Sequence, residues 1–105
     1  MKLITKAIVK NLPALYSTDG VPVSEKKVAV KFFCPWSNIT WYAFEGEVRE
    51  DGDIEFFGAV EGHEFELGYW TLSQLELIRG PFGLKIERDR HYSDAEWERD
   101  SKKFQ

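Results

Sequence analysis

The sequence predicts a single α+β domain, in which a four- to five-stranded antiparallel β-meander is flanked by two or three short helices. Period-two alternation of apolar side chains, interrupted by short segments rich in Gly, Asp and Asn, predicts the strands. The helices are predicted by two signals. One is a Ser or Thr followed three residues later by Glu or Gln, and the other is Gly-Pro after an apolar run. With 105 residues, 43% of them hydrophobic and 15% aromatic, the chain is long enough to bury a core. We expect one domain over 1–105, with 93–105 as a charged C-terminal helix or tail.

The strands follow one another with short connections. Asp51-Gly52 is a strong β-hairpin signal, and Pro35 and Gly62 lie in the turns on either side of that hairpin. Alternation predicts a strand from residue 27 to 33, and a ring-rich stretch predicts a second over 39–48. The turns around them predict strands over 54–60 and 65–70, with a candidate fifth strand over 84–90. Consecutive strands with short turns pair as antiparallel neighbours, which is why a meander is expected.

Each predicted helix has a start or stop signal. Thr5 can cap a short N-terminal helix that Pro13 ends, because the residue before a proline is pushed out of the helical region. A second helix over 73–79 ends at Gly80. Its capping box is either Thr71 with Gln74 or Ser73 with Glu76, and a third helix is capped by Ser93 with Glu96 and anchored by Trp97.

Cysteine count and hydropathy exclude several classes of protein. Cys34 is the single cysteine, so an internal disulfide framework and a multi-cysteine zinc site are excluded. Lysines interrupt the first ten residues, and no apolar run approaches the roughly 20 residues that span a bilayer. We therefore expect a reduced, cytoplasmic protein that does not associate with membranes.

Charge is distributed unevenly along the chain. Residues 1–44 carry six lysines against two carboxylates, whereas residues 45–66 carry nine carboxylates against Arg49 alone. Residues 67–105 are balanced, so the net charge of −4 conceals one strongly acidic segment. On strands, Glu45 and Glu47 share one face, and so do Asp53 and Glu55, which predicts a compact acidic ridge at the hairpin.

Sites for chemistry are few. His63-Glu64 lacks the second histidine that a helical zinc motif places four residues on, so we interpret it as a hairpin tip rather than a metal or acid–base site. Cys34 has no base beside it in the sequence and is interpreted as a small buried residue that ends a strand. Arg79–Lys85, R-G-P-F-G-L-K, lacks the spacing of a phosphate-binding loop and is interpreted as a helix stop and a turn. We predict no enzyme activity, no cofactor and no metal.

Three stretches resemble one family: K-F-F-C-P-W-S-N-I-T-W-Y, F-F-G-A-V-E-G-H-E-F-E-L-G-Y-W-T-L-S-Q-L and R-G-P-F-G-L-K-I-E-R-D, in that order. The opening M-K-L-I-T-K…L-P-A-L-Y is also similar, so the resemblance covers nearly the whole chain, from residue 1 to about 89. The sequence is similar to domain-of-unknown-function family 2958. The resemblance implies a bacterial protein of plasmids, integrative elements or phages, and it supplies no catalytic residues.

The acidic segment allows two interpretations. It can serve solubility and protect strand edges, or it can form an anionic surface that imitates nucleic-acid phosphates and docks on a basic groove. The second interpretation predicts a non-catalytic protein-binding module, for example an anti-CRISPR-like inhibitor of a nucleic-acid-targeting bacterial defence complex. Its candidate partner-binding residues are Trp36 as an exposed anchor and the carboxylates Glu45, Glu47, Glu50, Asp51, Asp53, Glu55, Glu61 and Glu64.

Two alternatives stay open at this point. Exposed rings beside lysines could stack single-stranded bases, although the net negative charge makes direct nucleic-acid binding the weaker hypothesis. The residues concerned are Trp36, Trp41, Tyr42, Trp70, Tyr92, Lys26, Lys27 and Lys31. The other alternative is a small metal-dependent enzyme around His63, Glu64 and His91.

Overall fold

The computed structural model describes residues 2–104, with side chains for all of these except 94, 95, 103 and 104; residues 1 and 105 of the predicted domain lie outside this range. Five strands form one antiparallel sheet: β1 (Val30–Phe33), β2 (Thr40–Val48), β3 (Ile54–Glu61), β4 (Phe65–Thr71) and β5 (Glu87–Arg88). Their spatial order is β4-β3-β2-β1-β5, so the first four strands are neighbours in chain order. Three α-helices accompany them: α1 (Lys6–Asn11), α2 (Leu72–Leu77) and α3 (Asp94–Asp100). The predicted α+β meander is confirmed.

The helix starts follow the predicted caps. The Thr5 hydroxyl accepts a hydrogen bond from the Ile8 amide at 3.2 Å, and the backbone leaves helical geometry at Leu12, just before Pro13. The helices α2 and α3 both begin with complete capping boxes, Thr71 with Gln74 and Ser93 with Glu96. These boxes satisfy backbone N–H groups that a helix start otherwise leaves without partners.

Apolar side chains cover both faces of the sheet. One face carries the larger cluster, which includes Phe32, Phe56 and Trp70 and is covered by Ile8 of α1 and Leu75 of α2. The other face carries a smaller cluster of Tyr42, Phe44, Ala59 and Trp97, the last from α3. We call these the first and second clusters. The predicted anchoring role of Trp97 is confirmed, since its side chain is buried and lies 5.0 Å from the Tyr42 ring centroid.

A β-bulge interrupts the pairing of β2 with β3. Ala43 pairs with Gly58 and Glu45 pairs with Phe57, so Phe44 has no register partner. Beyond the bulge, Gly46 pairs with Phe56 of the first cluster. Phe44 and Glu45 therefore lie on the same face of the sheet despite being consecutive.

The predicted fifth strand is shorter than expected. Residues 84–90 contribute only Glu87 and Arg88 to the sheet, paired with Phe33 and Phe32. Lys85 instead forms an isolated bridge with Arg79, which closes a loop around a 3₁₀ turn at Pro81–Gly83. The same bridge explains why α2 ends at Leu77 and does not extend to residue 79.

Candidate functional site

Two carboxylates face each other directly across the β2–β3 hairpin. Glu47 and Glu55 are register partners, with Glu47 exposed and Glu55 half-buried. Directly opposed like charges destabilise an antiparallel pair. The pair therefore lowers the stability of the hairpin.

Exposed rings lie on the same face as this pair. Alternation along β3 places Glu55 with Phe57 and Ala59, whose partners on β4 are Tyr69 and Leu67. Tyr69 and Leu67 are 51% and 48% exposed, and Tyr16 is 63% exposed with its ring centroid 6.4 Å from that of Tyr69. We call the set Tyr16, Glu47, Glu55, Leu67 and Tyr69 the acidic-aromatic face.

The carboxylates of this face have no basic partner within the described part of the chain. The ion pairs among the described side chains lie elsewhere, between Lys26 and Glu45, Lys31 and Asp89, and Arg99 and Asp100. Desolvation and a hydrogen bond with Tyr16 raise the pKa of Tyr69 above its ordinary value, and nearby carboxylates add to the shift. The face therefore presents carboxylates without a basic partner beside the exposed rings of Tyr16 and Tyr69.

Asp51 and Asp53 form hydrogen bonds that stabilise the turn of the β2–β3 hairpin. The Asp51 carboxylate accepts a hydrogen bond from the Asp53 amide at 2.9 Å, and Gly52 has a φ of 86°. Asp53 in turn accepts from the Ser73 hydroxyl at 2.6 Å, the Ile54 amide at 2.8 Å and the Ser73 amide at 3.1 Å. The Ser73 hydroxyl is the main cause of a lowered pKa at Asp53. Asp53 thus ties the hairpin to α2.

Glu45 corrects the sequence prediction, because it is not a surface residue. Its side chain is 1% exposed and lies 3.8 Å from the Lys26 ammonium, which is also buried. Its carboxylate accepts hydrogen bonds from the Tyr16 amide at 2.7 Å, the Thr18 amide at 3.2 Å and the Thr18 hydroxyl. Lys26 donates to the Thr18 carbonyl at 2.5 Å and to its hydroxyl at 2.6 Å. Glu45 therefore clamps the loop after α1 onto the sheet and is unavailable to a partner.

The prediction that Trp36 is an exposed anchor is also wrong. Its side chain is half-buried and packs against the first cluster. A Cβ atom at Gly80 would lie only 2.5 Å from the Trp36 ring, so the ring rests directly on the backbone of the 79–85 loop. This loop covers one part of the ring.

The remaining predicted acids differ in exposure. Glu50 and Glu64 are exposed, in the β2–β3 and β3–β4 turns respectively. Glu61 is half-buried and accepts a hydrogen bond from the Tyr42 hydroxyl at 3.2 Å. Burial raises the pKa of Tyr42 above its ordinary value, and the charges of Glu61 and Asp100 add to the shift.

Most rings of the proposed base-stacking surface belong to the core. Trp41, Tyr42 and Trp70 are buried, and Tyr92 is half-buried with its hydroxyl 3.0 Å from Asp100. Lys26 is buried as well. Lys27 is exposed, and the Lys31 ammonium lies 4.5 Å from the Tyr92 ring centroid. These residues therefore do not form an exposed surface of rings and lysines on which bases could stack.

The histidines lie in exposed turns. His63 and Glu64 form the turn between β3 and β4, where the Gly62 amide donates to the Glu64 carbonyl at 3.0 Å. His91 lies in the turn after β5. Among the side chains that the structure describes, no group of three or more from His, Cys, Asp and Glu is placed to hold a metal ion. Cys34 is buried at the end of β1, as predicted.

Sequence reasoning did not find two exposed features. A cleft of about 750 Å³ lies between residues 2–4, α2 and residues 83–87, with Lys2, Arg79 and Lys85 among its cations and Glu76 and Glu87 as its acids. Beside it, Phe82 is fully exposed and has a φ of 57°, a region that few non-glycine residues adopt. A phenylalanine between Pro81 and Gly83 is itself a signal for an exposed turn.

Comparisons with known proteins place the chain in a family. The family model described as "Protein of unknown function (DUF2958)" matches residues 3–97. The chain belongs to this family. No curated protein and no solved structure matches it. Within residues 2–104, no helix has the length and apolar character needed to cross a bilayer.

Proposed function

We propose that this DUF2958 protein is a non-catalytic binding module whose acidic-aromatic face docks on a basic surface of a protein partner. The observation that carries the proposal is the directly opposed pair Glu47 and Glu55. Its repulsion is relieved when a lysine or arginine of a partner lies between the two carboxylates. Tyr69 and Tyr16 supply flat, half-exposed rings beside them, which suit contacts with an arginine side chain.

The charge of the acidic-aromatic face and the resemblance to proteins of mobile elements support a partner that binds nucleic acid. A basic surface in bacteria is commonly one that binds nucleic acid, and carboxylates spaced along a hairpin offer it an alternative to phosphates. The resemblance of the chain to proteins of mobile elements makes a nucleic-acid-targeting defence complex the most concrete candidate. On this proposal the protein acts in the cytoplasm as an anti-CRISPR-like inhibitor that occupies such a groove.

Affinity capture from a lysate of a bacterial host tests the proposal. Tagged protein is washed at low and then high salt, with and without nuclease, beside the double variant Glu47→Gln/Glu55→Gln. The matched control Glu25→Gln/Glu98→Gln removes the same two charges at exposed positions outside the face. We expect a protein partner that survives nuclease, dissociates at high salt, is lost with the first variant and is retained with the control.

Two results would contradict this function. Recovery of nucleic acid with no protein would favour the base-stacking alternative. Equal recovery of the partner by the Glu47→Gln/Glu55→Gln variant would show that the acidic-aromatic face is not the docking surface.

A further inference from the structure

The outer edge of β4 has no strand partner among the described residues, and at its end the Thr71 amide donates to the Gln74 side-chain oxygen at 2.9 Å. All seven residues of β4 pair with β3, and β4 is the terminal strand in the order β4-β3-β2-β1-β5. No other described strand pairs with its outer side. Seven residues correspond to roughly 23 Å of exposed backbone donors and acceptors. The opposite edge, β5, contains only two residues.

This edge carries few of the features that usually protect an edge strand. β4 contains no lysine and no proline, and its pairing with β3 shows no register shift. Glu66 is its only charged residue. Leu67 and Tyr69 are about half-exposed on the face of the second cluster, and Glu66 is exposed on the other face, opposite Val60. Such an edge is a template for an additional strand.

Charge selects between two possible occupants. A second copy of the chain, paired antiparallel about Gly68, would place Leu67 opposite Tyr69 but would also join two molecules that each carry a net charge of −4. Glu66 of each copy would lie on the same face of the joined sheet. A basic strand from another protein meets the same apolar residues and is attracted by the same charge.

We propose that the outer edge of β4 binds an extended segment of the protein partner in which lysine or arginine alternates with apolar residues. The apolar side chains of that segment contact Leu67 and Tyr69, and its basic side chains lie on the face of Glu66. Backbone hydrogen bonds to β4 hold the segment in register. This inference rests on the proposed function in one respect, since both require a basic protein partner.

Peptide binding to the whole chain tests the edge directly. The probe is a capped nine-residue peptide of alternating Lys and Val, (Lys-Val)₄-Lys. One control replaces every Lys by Glu, and a second has the same composition in two blocks, Lys₅-Val₄. We expect the alternating basic peptide to slow amide hydrogen exchange and to shift the NMR resonances of residues 66–70. The acidic peptide should not bind, and the block peptide should bind more weakly.

A pair of variants localises the binding. Leu67→Lys puts a like charge at the centre of the edge and should weaken binding of the basic peptide by about tenfold. Leu77→Lys makes the same substitution at a residue that is 78% exposed on α2 and should leave binding unchanged. Folding of both variants is checked by the dispersion of their amide resonances.

Several outcomes would overturn the proposal. One is unchanged exchange at residues 66–70 with the basic peptide, and another is equal binding by Leu67→Lys. Concentration-dependent dimerisation with protection of β4 in the absence of peptide would assign the edge to a second copy. In the capture experiment, loss of the partner with Glu47→Gln/Glu55→Gln but not with Leu67→Lys would retain the proposed function and reject the edge.

Discussion

Replacing Glu45 by glutamine removes one charge from a buried ion pair and leaves the other charge in place. The Lys26 nitrogen and the nearer Glu45 oxygen are 3.8 Å apart, with side chains 6% and 1% exposed. At an effective dielectric constant of about 20, two unit charges at this distance interact by about 4 kcal/mol. The Tyr16 and Thr18 amides donate hydrogen bonds to the two Glu45 oxygens. In glutamine one of these oxygens is replaced by an NH₂ group, which cannot accept such a bond. We therefore expect Glu45→Gln to lower the free energy of unfolding by about 3–5 kcal/mol.

Urea unfolding followed by tryptophan fluorescence measures this loss. The matched control is Glu47→Gln, which removes the same charge two residues along the same strand at an exposed position. We expect the control to change stability by less than about 0.5 kcal/mol, or to increase it slightly by relieving repulsion with Glu55. The double variant Lys26→Met/Glu45→Gln removes both charges and should recover most of the loss.

Two results would refute this reasoning. If Glu45→Gln and Glu47→Gln have the same free energy of unfolding, the buried Glu45 carboxylate stabilises the fold no more than the exposed Glu47 carboxylate. If the double variant is as unstable as Glu45→Gln alone, the loss arises from the hydrogen bonds to the loop and not from the ion pair.

Three further predictions concern other parts of the molecule. The lowered pKa of Asp53 means that its carboxylate stabilises the fold above its ordinary pKa of about 3.9. The difference in free energy of unfolding between the native protein and Asp53→Asn should therefore shrink as the pH falls below about 4. Urea unfolding at pH 7 and pH 3 measures this difference, and a constant difference would contradict the prediction. Phe82→Asn removes no buried surface, and asparagine adopts the left-handed backbone region more readily than phenylalanine. Thermal unfolding should therefore show a free energy of unfolding that is higher by about 0.5–1 kcal/mol. A lower value would show that the Phe82 side chain contributes to packing. Burial and the neighbouring Asp100 raise the pKa values of Tyr42 and Tyr92, so both phenols should stay protonated in the native protein at pH 11, and stability should fall as the pH rises above about 10. Absorbance titration of native and urea-unfolded protein measures the ionised tyrosines, and a single transition near pH 10 in the native protein would contradict the prediction.

Local chemistry explains why most of the fold could be predicted. Helix caps at Thr5, Thr71 and Ser93 depend on residues three positions away, and all three are present. Alternation, ring-rich composition and turn residues identified four strands, because each of these signals lies within a few residues of the strand it predicts. The bulge in β2 interrupts the period of two and was not predicted. The fifth strand was predicted too long because its start depends on the bridge between Arg79 and Lys85.

The candidate site was less predictable because long-range contacts decide exposure. Glu45 resembles the other hairpin acids in sequence, and only the fold brings Tyr16 and Lys26 to it from 29 and 19 positions away. Trp36 is covered by Gly80, which is 44 positions further along the chain. By contrast, Glu47 and Glu55 are placed by the hairpin register, which follows from Asp51-Gly52. Local signals therefore predicted the acidic pair but not its aromatic neighbours.

The bulge at Phe44 determines how the hairpin would respond to changes in its length. β2 has nine residues and β3 has eight, and the extra residue is the one without a register partner. Deleting Phe44 would remove a ring from the second cluster while every pair from Glu45 to Val48 kept its partner and its face. Deleting a residue within 45–47 would instead reverse the faces of the residues between the deletion and the turn, so that Val48 would move to the opposite face of the sheet. Natural variation in the length of β2 should therefore concentrate at one position.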